Sequence, residues 1–204
     1  MTTPWLAVLA AYVLGSIPWA YLAGRVLKGI DLRQHGSGNL GATNVLRTLG
    51  TPAAIAVLGL DAAKGFAPVA LFPAWFGFEG RGAWAIACGV AAIAGHVRPV
   101  FLRGQGGGKG VATAAGVFGA LVPWPLVIAM AAFTLVLAAS RVVSLASLTG
   151  VAVLPVAVGA TSGFRHPLFA VSLGVGLFVF WTHRSNIGRL RRGQEPRLSL
   201  GRDR

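Results

Sequence analysis

The stretch VATAAGVFGALVPWPLVIAMAAFTLVLAAS, Val111 to Ser140, contains no charged side chain, and the same holds for MTTPWLAVLAAYVLGSIPWAYLAG, Met1 to Gly24. A helix needs about 20 apolar residues to cross the hydrocarbon core of a bilayer, so each run is long enough to span. The rest of the 204 residues continue the pattern, with 55% hydrophobic and only 11% charged; a soluble domain carries roughly a quarter charged. Most of this chain therefore has lipid as its solvent. The first run is longer than a secretory h-region and has no basic segment before it, which argues against a cleaved signal peptide. The net charge of +13 does not point to nucleic acid, because apolar runs separate the basic residues and no compact basic face gathers them. The single cysteine, Cys88, lies in an apolar run and offers neither a disulfide framework nor a cysteine-based zinc site. No metal and no cofactor are expected.

Apolar runs set against breakers predict an all-α integral membrane protein with about seven transmembrane helices, near 4–25, 51–77, 82–101, 110–122, 125–140, 144–163 and 167–182. Pro123 and Pro125 interrupt backbone bonding between the fourth and fifth. The fourth, at about 1.5 Å per residue, is short for a full span. With this count the segments 25–50, 98–109, 141–143 and 183–204 share one side. They hold fifteen of the eighteen basic residues, against Arg81 and Arg165 opposite, with Lys64 inside a span. The positive-inside rule then puts that side in the cytoplasm, the N-terminus outside and the C-terminus inside. Trp5, Trp75 and Trp181, near span ends, are expected as interfacial anchors.

The chemistry is expected in the segments on the basic side. In DLRQHGSGNLGATNVLRTLG, Asp31 to Gly50, Gly36, Gly38 and Gly41 let backbone amides approach an anion. Ser37, Asn39, Thr43 and Asn44 offer side-chain donors there, and Arg47 offers a fork suited to phosphate. The bland alternative is a flexible loop that caps the next helix. In GHVRPVFLRGQGGGKGVAT, Gly95 to Thr113, the amides of Gly106, Gly107, Gly108 and Gly110 and a following helix N-terminus form an anion cradle, with Lys109 as point charge. The spacing is one residue short of a Walker A loop and Gly110 replaces its Ser or Thr, which disfavours an ATPase. A third set comprises Ser144 and Ser147 at a helix start and HRSNIGRLRRGQE, His183 to Glu195. His183 and Asn186 share one side if the last helix continues. Glu195 amid arginines is expected to be a salt-bridge partner. Asp61 and Lys64, three apart in the second run, are expected to pair inside the membrane in a structural role.

The ordered set GSIPWAYLAGR, GSGNLGATNVLRTLG, GHVRPVFL with GGKGVAT, SLAS, and HRSNIGRL with GQE resembles the bacterial acyl-phosphate:glycerol-3-phosphate acyltransferase family, from about Gly15 to Glu195. The resemblance implies a single acyltransferase domain over 1–204 with a basic cytoplasmic tail at 183–204. It also implies a multi-pass location in the bacterial inner membrane and an active site facing the cytoplasm. The implied reaction moves a fatty acyl group from acyl phosphate to the 1-hydroxyl of glycerol 3-phosphate, giving lysophosphatidic acid and inorganic phosphate. Carried onto matching positions, it implicates Ser37 and Arg47, then the glycine segment with Lys109, then His183 and Asn186, with Glu195 structural. The implied partners are glycerol 3-phosphate, a fatty acyl phosphate and membrane lipids, with no nucleic acid. The chain departs from the pattern at Arg98, where an aromatic is usual, and in RGQGGGKG, where a basic residue is lost and a glycine gained. A phosphate or organic-anion transporter is the alternative, since glycine-interrupted helices and intramembrane charges are transporter features too. An anionic-lipid scaffold using the arginine tail would leave the glycine loops unexplained.

Overall fold

A computed structural model describes residues 4–78 and 82–198. Arg81, Arg202 and Arg204, counted above in the charge asymmetry, lie outside the described residues. The regular elements of the described residues are all helices, and the chain divides into two compact units at Leu121 and Val122.

The first unit contains α1 (Pro4–Gly15), α2 (Trp19–Lys28), α3 (Ala42–Leu49), α4 (Thr51–Phe76), α5 (Ala83–Val97) and α6 (Val111–Leu121), with 3-10 turns at Leu32–Gln34 and Val100–Leu102. The helix expected over 4–25 is broken at residues 16–18. Pro18 supplies no amide hydrogen, and the Ser16 hydroxyl donates back to the Tyr12 carbonyl at 2.8 Å. The two pieces together still make one apolar stretch, Pro4–Lys28, long enough to cross a membrane. Small residues bring backbones together where lipid offers no hydrophobic drive between helices. A Cβ on Gly15 would meet the Ala92 carbonyl and one on Gly95 the Tyr12 carbonyl, so α1 and α5 pack backbone to backbone. Gly65 and Gly116 do the same for α4 and α6, against Thr113 and Ala62. Helix α3 was expected to be loop. A helix this short does not stand alone, and it is held by Val45, fully buried with Leu32, Leu40, Ala20 and Val57.

The second unit contains α7 (Pro123–Ser140), α8 (Val143–Ser162), α9 (Pro167–Thr182) and α10 (Arg184–Arg191). Pro123 and Pro125 fall in the first turn of α7, where a missing amide hydrogen is harmless. The last span does not continue straight into the tail: α9 and α10 meet at 63°, at His183, a correction to the straight helix considered for His183 and Asn186. Arg141 takes a left-handed conformation, φ 58°, between α7 and α8.

Among the described residues, five stretches are long and apolar enough to cross a membrane, or six if the bent pair α9–α10 counts as one. With 11 residues, α6 is shorter than that measure. Trp5 and Trp75 are 69% and 66% exposed, and Arg184 lies 4.8 Å over the Trp181 ring; such exposure suits interfacial anchors.

Gly116→Val, which sets a branched side chain against the Ala62 carbonyl, is expected to destabilise the first unit by about 1–3 kcal/mol or more. Thermal unfolding in detergent checks this; an unchanged midpoint would mean that α4 and α6 do not pack so closely.

Candidate active site

The segment after α2 is built around two side chains. Asp31 caps the 3-10 turn by accepting from the Arg33 amide at 3.0 Å and from Arg33 Nη2 at 2.6 Å. The hydrogen-bonded Arg33 side chain outweighs burial and lowers the Asp31 pKa to about 2. The same pairing raises that of Arg33. Arg25 and Arg33 each lie over the Tyr21 ring, at 5.2 and 5.3 Å.

The second organiser is Asn44, 1% exposed on α3. Its Oδ1 accepts from the Ser37 amide at 3.0 Å, while Nδ2 donates to the carbonyls of His35 and Leu32 at 3.0 and 3.3 Å. Gly36, at φ 61°, closes the turn against this amide, and a Cβ there would strike Asn44 Oδ1. Asn44 was expected to offer its donors to an anion; in the structure they hold the loop. Ser37 and Arg47 are both exposed, the first in the turn that Asn44 holds and the second on the same helix as Asn44. Asn39, Gly38, Gly41 and Thr43 are partly buried between them.

The glycine segment follows α5. The Gly104 amide donates to the Pro99 carbonyl at 2.8 Å, and Arg98 reaches the Gly104 carbonyl at 3.2 Å. Gly106 and Gly110 have φ of 68° and 89°, a region that disfavours any side chain. α6 starts at Val111 directly after Lys109 and Gly110, so its first-turn amides, which have no partner within the helix, face the segment. The structure brings the first two motifs together. A Cβ on Gly106 would meet the Arg33 side chain, and one on Gly108 would lie 3.0 Å from the Leu40 carbonyl.

Behind this segment, Lys64 Nζ sits 2.8 Å from Asp61 Oδ1 and donates to the Ile17 carbonyl at 2.8 Å. Sequence reasoning missed the third member of this group, His96, whose Nδ1 lies 3.5 Å from Asp61 Oδ1. The three are 2–6% exposed. The only trace in the sequence is a histidine within the second motif, and it falls in the last turn of α5.

The second unit holds the third motif. Glu195 accepts from Ser144 at 2.8 Å, from Arg189 at 2.6 Å and from the Asn186 side-chain amide. Burial raises its pKa, but these hydrogen bonds and the Arg189 charge outweigh it and hold the carboxyl below its ordinary value. His183 is 4% exposed, with Nδ1 2.9 Å from the Val179 carbonyl. A carbonyl only accepts, so Nδ1 carries the proton, and in the neutral ring Nε2 is the basic nitrogen. Ser144 was expected to face a substrate, yet here its hydroxyl braces Glu195. Among the described residues no group of three His, Cys, Asp or Glu side chains could hold a metal ion.

Such an architecture defines a multi-span helical membrane protein with glycine-rich, basic segments suited to phosphate chemistry. Residues 5–193 match the family model described as "Glycerol-3-phosphate acyltransferase". A protein of that name from Anaeromyxobacter dehalogenans (strain 2CP-C) is 43% identical over 94% of this chain and 95% of its own. Another, from Synechococcus sp. (strain CC9902), is 48% identical over 95% and 94%. The crystal structure of PlsY (YgiH), an integral membrane glycerol 3-phosphate acyltransferase, in its glycerol 3-phosphate form aligns with a TM-score of 0.87 at 36% identity, covering 96% of each chain. The chain belongs to the glycerol-3-phosphate acyltransferase family. It is an acyltransferase of the membrane, and the transporter alternative falls away.

Because the folded-state pKa values of Asp31 and Glu195 are depressed, their contribution to stability is present above about pH 4 and is lost as pH falls through the folded values. The melting midpoint in detergent is expected to drop between about pH 5 and pH 2. Asp31→Asn should lower the midpoint at neutral pH and flatten that drop; an unchanged slope would show that the Asp31–Arg33 pair does not couple protonation to folding.

Proposed function

We propose that this protein transfers a fatty acyl group from an acyl phosphate to the 1-hydroxyl of glycerol 3-phosphate, the first acylation of phospholipid synthesis. The observation that carries the proposal is the family match over residues 5–193, joined to a glycine segment, ending at Lys109 and Gly110, whose Gly106 and Gly108 pack against the first motif. Neighbouring solved structures of PlsY in a glycerol 3-phosphate form and a lysophosphatidic acid form support the choice of acceptor and product.

The hydroxyl oxygen attacks the acyl carbonyl, the bond from carbon to the phosphate oxygen breaks, and phosphate leaves. The donor is a mixed anhydride and already activated, so no acyl-enzyme is needed, and no Ser-His-Asp triad is visible in the motifs. Two anionic substrates call for a cationic pocket. Arg47, Lys109 and the amides of Gly106, Gly107, Gly108 and Gly110 hold phosphates and offset charge on the carbonyl oxygen and the leaving group. Preorganised donors of this kind contribute up to a few kcal/mol each. The Gly38–Gly41 turn, with Asn39 and Thr43, adds donors beside Ser37. The hydroxyl proton passes to a phosphate oxygen of the donor, with Ser37, His183 and Asn186 orienting the acceptor. Asn44, Ser144 and Glu195 act as supports: Asn44 holds the Ser37 turn, and Ser144 braces Glu195, which in turn holds the Asn186 side chain.

The topology that fits this chemistry counts α6 as a partial span, for seven in all, with the N-terminus outside and the three motifs in the cytoplasm at the bacterial inner membrane. The excess of basic residues in the segments 25–50, 98–109, 141–143 and 183–204 supports that orientation. The whole chain then serves as one acyltransferase domain. Its basic tail runs from residue 183, and residues 199–204 of that tail lie outside the described residues. Acyl chains and membrane lipids meet the apolar helix faces.

Purified protein given palmitoyl phosphate and glycerol 3-phosphate is expected to form lysophosphatidic acid and inorganic phosphate only when both are present. Lys109→Ala should lower the rate by about 10²-fold or more, whereas His183→Ala should leave measurable turnover. Complete loss in the His183 variant with intact binding would make His183 a general base. No product from folded wild-type protein would overturn the reaction.

A further inference from the structure

The buried set Asp61, Lys64 and His96 has no part in the reaction as written, yet it lies directly behind the glycine segment. We propose that His96, braced by Asp61 and Lys64, is a positioning residue that sets the height of the glycine segment 106–110 and, through it, of Lys109. The proposal rests on the phosphate-binding role given to that segment above.

Five contacts carry it. The Gly108 amide donates to the His96 carbonyl at 3.1 Å. A Cβ added to Gly108 would run into His96 Nε2, and one added to Gly107 would run into the Val97 carbonyl. Both loop residues therefore rest on the end of α5 with no room for a side chain, and Gly108 rests on the imidazole itself. The other edge of that ring faces Asp61, 3.5 Å away, and Asp61 is held by Lys64. Trp19, Leu40, Asp61, Lys64, His96 and Gly108 line one small cavity, so the loop and the charged set share a wall.

A histidine that only filled the core would touch side chains of neighbouring helices. His96 does this towards Asp61 on α4, and beyond it supports loop main chain through its ring and its carbonyl. Lys64 is bonded to Ile17, at the break between α1 and α2. The brace is thus anchored to three helical elements, α1–α2, α4 and α5, while the loop it carries has no regular secondary structure. Removing the ring leaves a void under Gly108 and lets the following amides and Lys109 move. A misplacement of about 1 Å is enough to cost an enzyme up to about 10²-fold. Because the segment holds phosphate in the ground state and also offsets charge in the transition state, displacing it raises KM and lowers kcat together.

The test is steady-state kinetics with palmitoyl phosphate and glycerol 3-phosphate on wild type, Gly108→Ala, His96→Ala and the double variant. Gly108→Ala and His96→Ala are each expected to raise KM for the same phosphate substrate by about tenfold or more, with a fall in kcat of similar size in the two variants. The double variant should be no worse than the poorer single, because both changes act on one contact. If His96→Ala does not accumulate, His96→Gln, which keeps a polar group of similar reach, is measured in its place and should show a smaller rise in the same KM. Unchanged KM values with a lower rate, the behaviour of a residue that only maintains the fold, would overturn the proposal. So would effects of the two single changes that multiply. Wild-type protein that makes no lysophosphatidic acid would instead refute the acyl-transfer reaction itself, which keeps the two failures apart.

Discussion

An ammonium group inside a lipid-facing helix has to find its counter-charge within the protein, because lipid offers none and the cost of leaving it alone is several kcal/mol. Lys64 meets that requirement with Asp61, one turn earlier on α4, at 2.8 Å. It does more than neutralise: its second hydrogen bond goes to the Ile17 carbonyl, beside the break that Pro18 makes in the first span. Asp61 in turn faces His96 on α5. One buried ion pair therefore ties together α4, the broken first span and the end of α5, and the glycine segment leaves from that same end.

Around this point the helices approach through glycine. Gly15 and Gly95 between α1 and α5, and Gly65 and Gly116 between α4 and α6, have carbonyls of the partner helix where a side chain would stand. Such contacts fix helix height and rotation more tightly than larger side chains do, since a backbone cannot change rotamer. The glycines of the second motif divide into two physical kinds. Gly106 and Gly110 are needed for their positive φ, whereas Gly107 and Gly108 are needed because α5 leaves no space for a side chain.

The second unit is organised by a carboxylate in place of an ion pair in a span. Glu195 gathers Ser144, Asn186 and Arg189, and the Leu198 amide donates to the Arg141 carbonyl at 2.7 Å. The described part of the tail thus folds back on the start of α8. The bend at His183 follows from the same arrangement, because a straight continuation of α9 would carry Asn186 and Arg189 along the axis of the span.

What the sequence by itself determined was everything that depends on short range. Apolar length marked the protein as a helical one of the membrane, proline at 123 and 125 marked the boundary between α6 and α7, the three-residue spacing of Asp61 and Lys64 implied their pairing, and the ordered motifs identified the family. Tertiary structure alone decided which polar groups face each other. Nothing in the linear chain distinguishes Asn44, spent on holding the Ser37 turn, from Asn39 in the same loop. Nothing in it ties His96 to an aspartate on another helix, makes α3 a helix, or aims Ser144 at Glu195. Those assignments depend on contacts between residues far apart in sequence, made when helices pack at glycine-to-carbonyl distance, and a buried polar atom takes whichever partner that packing brings within reach.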